Sequence, residues 1–224
     1  MDIRYLGHAA FALEHDGKTI LIDPFLTGNP KAAAKADEVA ADAIFLTHGH
    51  GDHIGDTVDI AKRTGAPVVA IVELAGEIGE EGVDVIDPNI GGTADLGFAS
   101  VRLTPAWHTS TTPKGTVNTP AGLVIEFGDK RIYHLGDTGL FSDLALPSKR
   151  GHLDIALMCI GGHYTMDRFD AVVAADLVKA DQIIPCHYNT FPPIETDAQA
   201  FKTDVQNAGY AEVVVLDPGE THTP

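Results

Sequence analysis

The segment Thr47-His48-Gly49-His50-Gly51-Asp52-His53 places three imidazoles and a carboxylate within six consecutive positions. Residues two apart on an extended segment project to the same side, so His48 and His50 can converge on one cation. The intervening glycines let the backbone turn tightly and leave space beside it. Asp52 and His53 fall where a helical pattern begins, and can face a second ion next to the first. Imidazole and carboxylate donors suit zinc, and also manganese or iron where oxygen ligands are more numerous. A solvated polar loop has no need of three histidines spaced by glycine.

Four donors cannot fill two metal sites, so further ligands must come from elsewhere. His108 follows Leu103-Thr104-Pro105-Ala106-Trp107, Asp137 follows Ile132-Tyr133-His134-Leu135-Gly136, and His187 follows Ile183-Ile184-Pro185-Cys186. Each stands just past an apolar run, where a strand-end loop would present it. His163, in Gly161-Gly162-His163-Tyr164, occupies the same kind of position and is a candidate acid. His8, Tyr164 and Asn189 are candidate substrate contacts, and Asn189 could donate to an oxyanion. His134 lies inside a strand-like run and reads as a core or supporting residue. His15, His152 and His222 sit in turn-like or terminal contexts and receive no role.

Short runs rich in Ile, Val, Leu and Phe must position these groups. They predict strands near Ile3–Leu6, Ala10–His15, Thr19–Ile22, Ala43–Thr47 and Val68–Ile71. Others are expected near Ala99–Thr104, Leu123–Phe127, Arg131–Leu135, Ile155–Cys159, Gln182–Pro185 and Glu212–Leu216. Helices are expected over about His53–Thr64, Asp167–Lys179 and Thr196–Ala208, the last two capped by Asp167 and Thr196. In the second of these, Phe169, Val172, Val173 and Leu177 recur at helical spacing. Mixed sheets with helices packed outside fit this order better than an all-β barrel or a doubly wound fold. No linker, repeat or low-complexity tract interrupts residues 1–224, which read as one domain.

The composition narrows the function. Hydrophobic residues make up 44% of the 224, enough for a real core, so wholesale disorder is excluded. The longest stretch without Asp, Glu, Lys or Arg is the 13-residue Gln182–Ile194, too short and too proline-rich to span a membrane. Thirty-two acidic against 15 basic residues give a net charge of −17. That surface repels phosphate backbones and anionic lipid, so neither nucleic acid nor membrane is the expected partner. Cys159 and Cys186 are too few for a disulfide framework and sit in apolar runs, as buried thiols of a reducing cytoplasm do. No apolar leader follows Met1-Asp2-Ile3-Arg4, and a cytoplasmic location is expected. No heptad or interface helix points to a homo-oligomer.

With these residues in view, the sequence resembles the metallo-β-lactamase superfamily. Its His-x-His-x-Asp-His marker stands at His48, His50, Asp52 and His53, followed in order by His108, Gly136-Asp137-Thr138 and His187. Leu21-Ile22-Asp23 is similar to its first motif, whose aspartate supports the ligands. Leu6-Gly7-His8-Ala9-Ala10-Phe11, Ile160-Gly161-Gly162-His163-Tyr164-Thr165-Met166 and Cys186-His187-Tyr188-Asn189-Thr190 resemble small metal-dependent hydrolases related to the ascorbate-6-phosphate lactonase group. The resemblance implies an α+β fold, an αββα sandwich of two mixed sheets with helices on the outer faces. It also implies two divalent ions, Zn2+ first and Mn2+ or Fe2+ as alternatives. His48, His50 and His108 would hold one, Asp52, His53 and His187 the other, and Asp137 would bridge them.

The chemistry so implied is hydrolysis by a metal-bound hydroxide, with Asp52 orienting it and the metals taking up developing charge. The substrate would be a small ester, lactone or phosphodiester, and an anionic one could bind locally despite the acidic exterior. Redox members carry an acidic residue where His50 stands, so His50 favours hydrolysis. The alternatives are a thioesterase, a nuclease, or a non-catalytic metal-dependent binding module. A nuclease would need a basic groove, which the sequence does not suggest.

Overall fold

The computed structural model describes residues 1–224. Two seven-stranded sheets carry the chain. The first contains β1 (Asp2–Gly7), β2 (Ala10–His15), β3 (Lys18–Ile22), β4 (Ala43–Phe45), β5 (Val68–Val69) and β6 (Val85–Ile86), with β14 (Thr221–His222) on the edge beside β1. The second runs from β7 (Thr93–Asp95) through β8 (Ala99–Pro105), β9 (Ala121–Phe127), β10 (Lys130–His134), β11 (Leu153–Cys159) and β12 (Ala180–Cys186) to β13 (Glu212–Val213). Both are mixed in the same way. From one edge, antiparallel pairings lead to β3 in the first sheet and to β10 in the second, and every pairing beyond is parallel.

The strands alternate as a two-faced sheet must. In β10 and β11, Ile132, Ile155 and Leu157 face the core between the sheets, where they join Leu13, Ile20, Phe45, Leu103 and Ile125. Their neighbours Tyr133, Ala156 and Met158 face outward, onto α5 (Arg168–Val178) and α6 (Ala198–Ala208). The first sheet is covered by α2 (Thr57–Thr64) and α3 (Val72–Gly79), which contribute Ile60, Leu74 and Ile78. This is the αββα sandwich. Short α1 (Gly51–Ile54) and α4 (Leu146–Lys149) complete the helices. No helix is long and apolar enough to cross a membrane.

Several local expectations change. The helix expected over His53–Thr64 is two helices, parted at Gly55 and Asp56. Gly55 has φ 45°, and a Cβ there would lie 2.4 Å from the Pro24 carbonyl oxygen. The Asp56 carboxylate instead accepts the Leu26 and Thr27 amides, tying the break to the passing chain. In α5 the buried stripe is Ala171, Ala174, Ala175 and Val178, while Phe169 and Val173 are exposed. Small residues let this helix lie close on the sheet, so the larger side chains are turned away. Asp167 caps α5 as expected, but α6 is capped by Asp197, whose Oδ1 accepts the Gln199 and Ala200 amides, and not by Thr196. Cys159 and Cys186 are buried and unbridged, in register on adjacent parallel strands.

Candidate metal centre

Five strand ends, those of β3, β4, β8, β10 and β12, meet at one rim of the sandwich. After β4 the chain passes through Thr47, whose amide and hydroxyl both donate to the buried Asp23 carboxylate, at 2.8 and 2.6 Å. Asp23 stands just past β3, the parallel neighbour of β4, so strand pairing sets the distance. The loop that follows is pinned from the other sheet. The Gly49 amide donates to Ser110 Oγ at 2.8 Å, and Ser110 Oγ donates to Asn118 Oδ1 at 2.7 Å. A Cβ on Gly49 would lie 2.4 Å from Asn118 Nδ2, so any larger residue must push the Asn118 side chain away.

His48 and His50 converge as their spacing requires, with Nε2 of the first 3.0 Å from Nδ1 of the second. His108, delivered past the end of β8, joins them. One donor atom from each of the three lies within 4.8 Å of the other two. A second set forms beside it from Asp52, His53, His187 and His8 on the same criterion. Asp52 and His53 come from α1, and His187 from the end of β12. His53 Nδ1 donates to Asp23 Oδ2 at 2.7 Å, which leaves the Nε2 lone pair free to bind a cation.

Asp137 lies between the two sets. Its Oδ1 is 3.4 Å from His53 Nε2, and its Oδ2 is 3.1 Å from His187 Nε2 and 3.6 Å from His108 Nε2. The turn at Gly136, φ 67°, places it there, because a Cβ would meet the Ala121 carbonyl oxygen at 2.5 Å. The fit to a cation is tested by the atoms left over. His53 Nε2 and both ring nitrogens of His187 are buried with no hydrogen-bond partner. Buried polar atoms normally find partners, and the His53 and His187 Nε2 atoms that face the Asp137 carboxylate have the chemistry of metal donors.

Burial and charge act together on these groups. Burial holds the His48, His50 and His108 imidazoles below their ordinary range, which favours the neutral, ligating form. For His53 burial acts downward as well, but Asp137 and Asp23 overcome it and raise the ring. Burial would raise Asp137, yet His187 and His53 hold it well below the usual carboxylate range. Asp52 is likewise lowered, since the His8 hydrogen bond and His53 outweigh its burial. His50, Asp52 and His108 keep some exposure, and they mark the side from which a substrate can enter.

The remaining candidates separate. His163 and Tyr164 are exposed on one loop, their ring centroids 4.5 Å apart. That loop runs against the His187 turn, since a Cβ on Gly161 would lie 2.2 Å from the His187 carbonyl oxygen. Asn189 does not join the donors. Its Oδ1 accepts the Thr196 amide at 2.8 Å, and it lines a surface groove with Lys31, Tyr188 and Asp217. His8 is 0% exposed, so the substrate contact expected of it is not what the structure places there. Its Nε2 lies 3.1 Å from Asp52 Oδ2 and its Nδ1 2.9 Å from Thr190 Oγ1, and burial brings the ring down to about 4. His134 is a buried supporting residue, accepting the Gly136 amide at Nδ1.

Backbone strain concentrates here. Of seven non-glycine residues with positive φ, five are His8, Asp23, His163, His187 and Asn189, all at or beside this rim. Such conformations cost about 1–3 kcal/mol each and persist where surroundings over-determine them. Sequence reasoning gave no role to Ser110, Asn118 or Thr190. Polar residues in loops carry no periodic signal, and only their contacts distinguish them.

Comparison with known proteins agrees with this geometry. Residues 2–187 match the family model described as a β-lactamase superfamily domain. A UPF0173 metal-dependent hydrolase of Carboxydothermus hydrogenoformans is 47% identical over 223 residues, covering 98% of each chain. One from Thermococcus onnurineus is 48% identical over 221 residues, covering 97% of each. The solved structure of Igni18, a metallo hydrolase from Ignicoccus hospitalis, superposes with a TM-score of 0.91 at 40% identity, over 99% of this chain and 97% of that one. The chain therefore belongs to the UPF0173 metal-dependent hydrolases of the metallo-β-lactamase superfamily.

Proposed function

We propose that this protein is a dinuclear metal-dependent hydrolase of a small ester, lactone or phosphodiester. The observation that carries this reading is the Asp137 carboxylate, within 3.6 Å of one histidine of the first donor set and of two from the second. His48, His50 and His108 would hold one ion, and Asp52, His53 and His187 the other, with Asp137 shared. Nitrogen-rich donors with two carboxylates suit Zn2+ first, and Mn2+ or Fe2+ as alternatives. When bound, the ions supply Lewis acidity, easing deprotonation of water and neutralising charge at the attacked centre.

The chain's own residues do the rest. Asp52, partly exposed and acceptor-only, is suited to orient a nucleophilic water and take its proton. His163, on the exposed loop beside His187, is suited to return a proton to the leaving group, and Tyr164 next to it to contact the substrate. A cytoplasmic, single-domain protein with an acidic exterior would draw an anionic small molecule only to the cationic rim.

The test is hydrolysis by purified protein loaded in turn with zinc, manganese and iron, beside an Asp137→Ala control. The panel is bis-p-nitrophenyl phosphate, phosphomonoesters, aryl esters, lactones and a glutathione thioester. Metal-dependent turnover of an ester, lactone or phosphodiester, lost in the control, supports the reading. Turnover of the thioester alone moves the assignment to a thioesterase, and no turnover with two ions bound per chain favours a binding module.

A further inference from the structure

We propose that His8 is a positioning residue that sets both Asp52 and His187, and that the Thr190 hydroxyl fixes the tautomer in which it does so. The proposal rests on the reading above, in which Asp52 and His187 hold the second ion. The argument begins with hydrogen-bond accounting. An ionised Asp52 can only accept, so the 3.1 Å contact to His8 requires the proton on His8 Nε2. A neutral imidazole then has a bare lone pair on Nδ1, and the group 2.9 Å away is the Thr190 hydroxyl, which can donate. The other acceptor within reach of that hydroxyl, the Tyr188 carbonyl oxygen, is farther, at 3.4 Å. Thr190 therefore selects the Nε2–H form.

The backbone of the same residue acts on the other ligand. The His8 carbonyl oxygen accepts the His187 amide at 2.7 Å and the Tyr5 hydroxyl at 3.0 Å. His8 reaches both tasks because it adopts φ 61°, after Gly7 at φ 104°. No side chain fits at Gly7, where a Cβ would lie 2.4 Å from the Lys31 carbonyl oxygen. The ring is clamped edge-on by Phe25 and Phe191, with centroids 5.8 and 5.4 Å away. One buried residue from the β1–β2 turn thus sets a ligand from α1 through its ring and one from β12 through its carbonyl.

Zn2+ affinity decides this, read by competition with a chromophoric chelator on the full chain, with thermal unfolding to verify the fold. His8→Asn tolerates the left-handed backbone and keeps the carbonyl, but its side chain is too short to reach Asp52. It should weaken the second ion by about 10–100-fold and leave the first within about threefold. Thr190→Val should weaken the second ion in the same direction, and Thr190→Ser should restore it. In an Asp52→Ala background His8→Asn should cost nothing further, because His8 acts through Asp52.

Additive losses in that background would make His8 a direct ligand and overturn the proposal. It also fails if Thr190→Val matches wild type, or if Thr190→Ser is as weak as valine. Should His8→Asn not fold, the valine and serine pair decides alone. A wild-type chain that binds fewer than two ions, or one whose second ion ignores Asp52→Ala, overturns instead the ligand assignment beneath.

Discussion

The Asp23 carboxylate lies 2.7 Å from His53 Nδ1, and neither side chain has any exposure to solvent. The same carboxylate takes the Thr47 amide and hydroxyl, so it fixes the start of the His48–His53 loop and the tautomer of a candidate ligand together. Asp23→Asn keeps the shape but removes the charge that holds the His53 proton on Nδ1. Affinity for the ion that His53 would hold should fall by about 10–100-fold. Equilibrium metal titration reads this directly, and an unchanged affinity would leave Asp23 a merely structural residue.

Gly49 is the second test of how the loop is held. Gly49→Ala would put a methyl 2.4 Å from Asn118 Nδ2 and 2.9 Å from Thr112 Cγ2. Overpacking of this kind costs about 1–3 kcal/mol. In a chain of this size that is a fall in Tm of about 2–4 °C per kcal/mol. Asn118→Ala should recover part of the loss in the Gly49→Ala background, because it removes the nearest clashing atom. A Tm equal to wild type for Gly49→Ala would show that the loop yields freely.

The cap of α6 separates two adjacent residues. Asp197→Ala removes the acceptor of the Gln199 and Ala200 amides and should cost about 1 kcal/mol in urea unfolding. Thr196→Ala should change little, since Thr196 contributes its backbone amide to Asn189 and no capping side chain. Equal effects from the two would contradict this assignment.

These cases show what could be read before the fold was known. His48, His50, Asp52 and His53 stand out in the sequence because four potential donors crowd into one loop, and the structure does bring them into adjoining clusters. His108, Asp137 and His187 were legible by placement, each just past a strand. The role of His8 was not, because its burial and its distance to Asp52 exist only once β1, α1 and β12 meet. Helix α3 was missed because Gly76 and Gly79 weaken its helical signal. Phe169 and Val173 recur at helical spacing and yet turn outward. Periodicity shows that a face exists, but the spacing between helix and sheet decides whether alanine or phenylalanine fills it.

Cys159 offers a stability test with a defined sign. It is buried at the end of β11 with its sulfur 3.7 Å from the Thr138 carbonyl oxygen, and burial pushes the thiol up to about 12. An unfolded cysteine ionises near about 8.5. Between those values the native chain keeps a proton that the unfolded chain releases. Stability therefore falls as pH rises through that window, by up to about 1.4 kcal/mol per pH unit for one thiol. Urea unfolding of equally metal-loaded protein between about pH 8 and 10 should show this slope, and Cys159→Ala should reduce it by about one proton whatever its effect on absolute stability. A slope that the substitution leaves unchanged would mean that Cys159 is not held protonated by the fold.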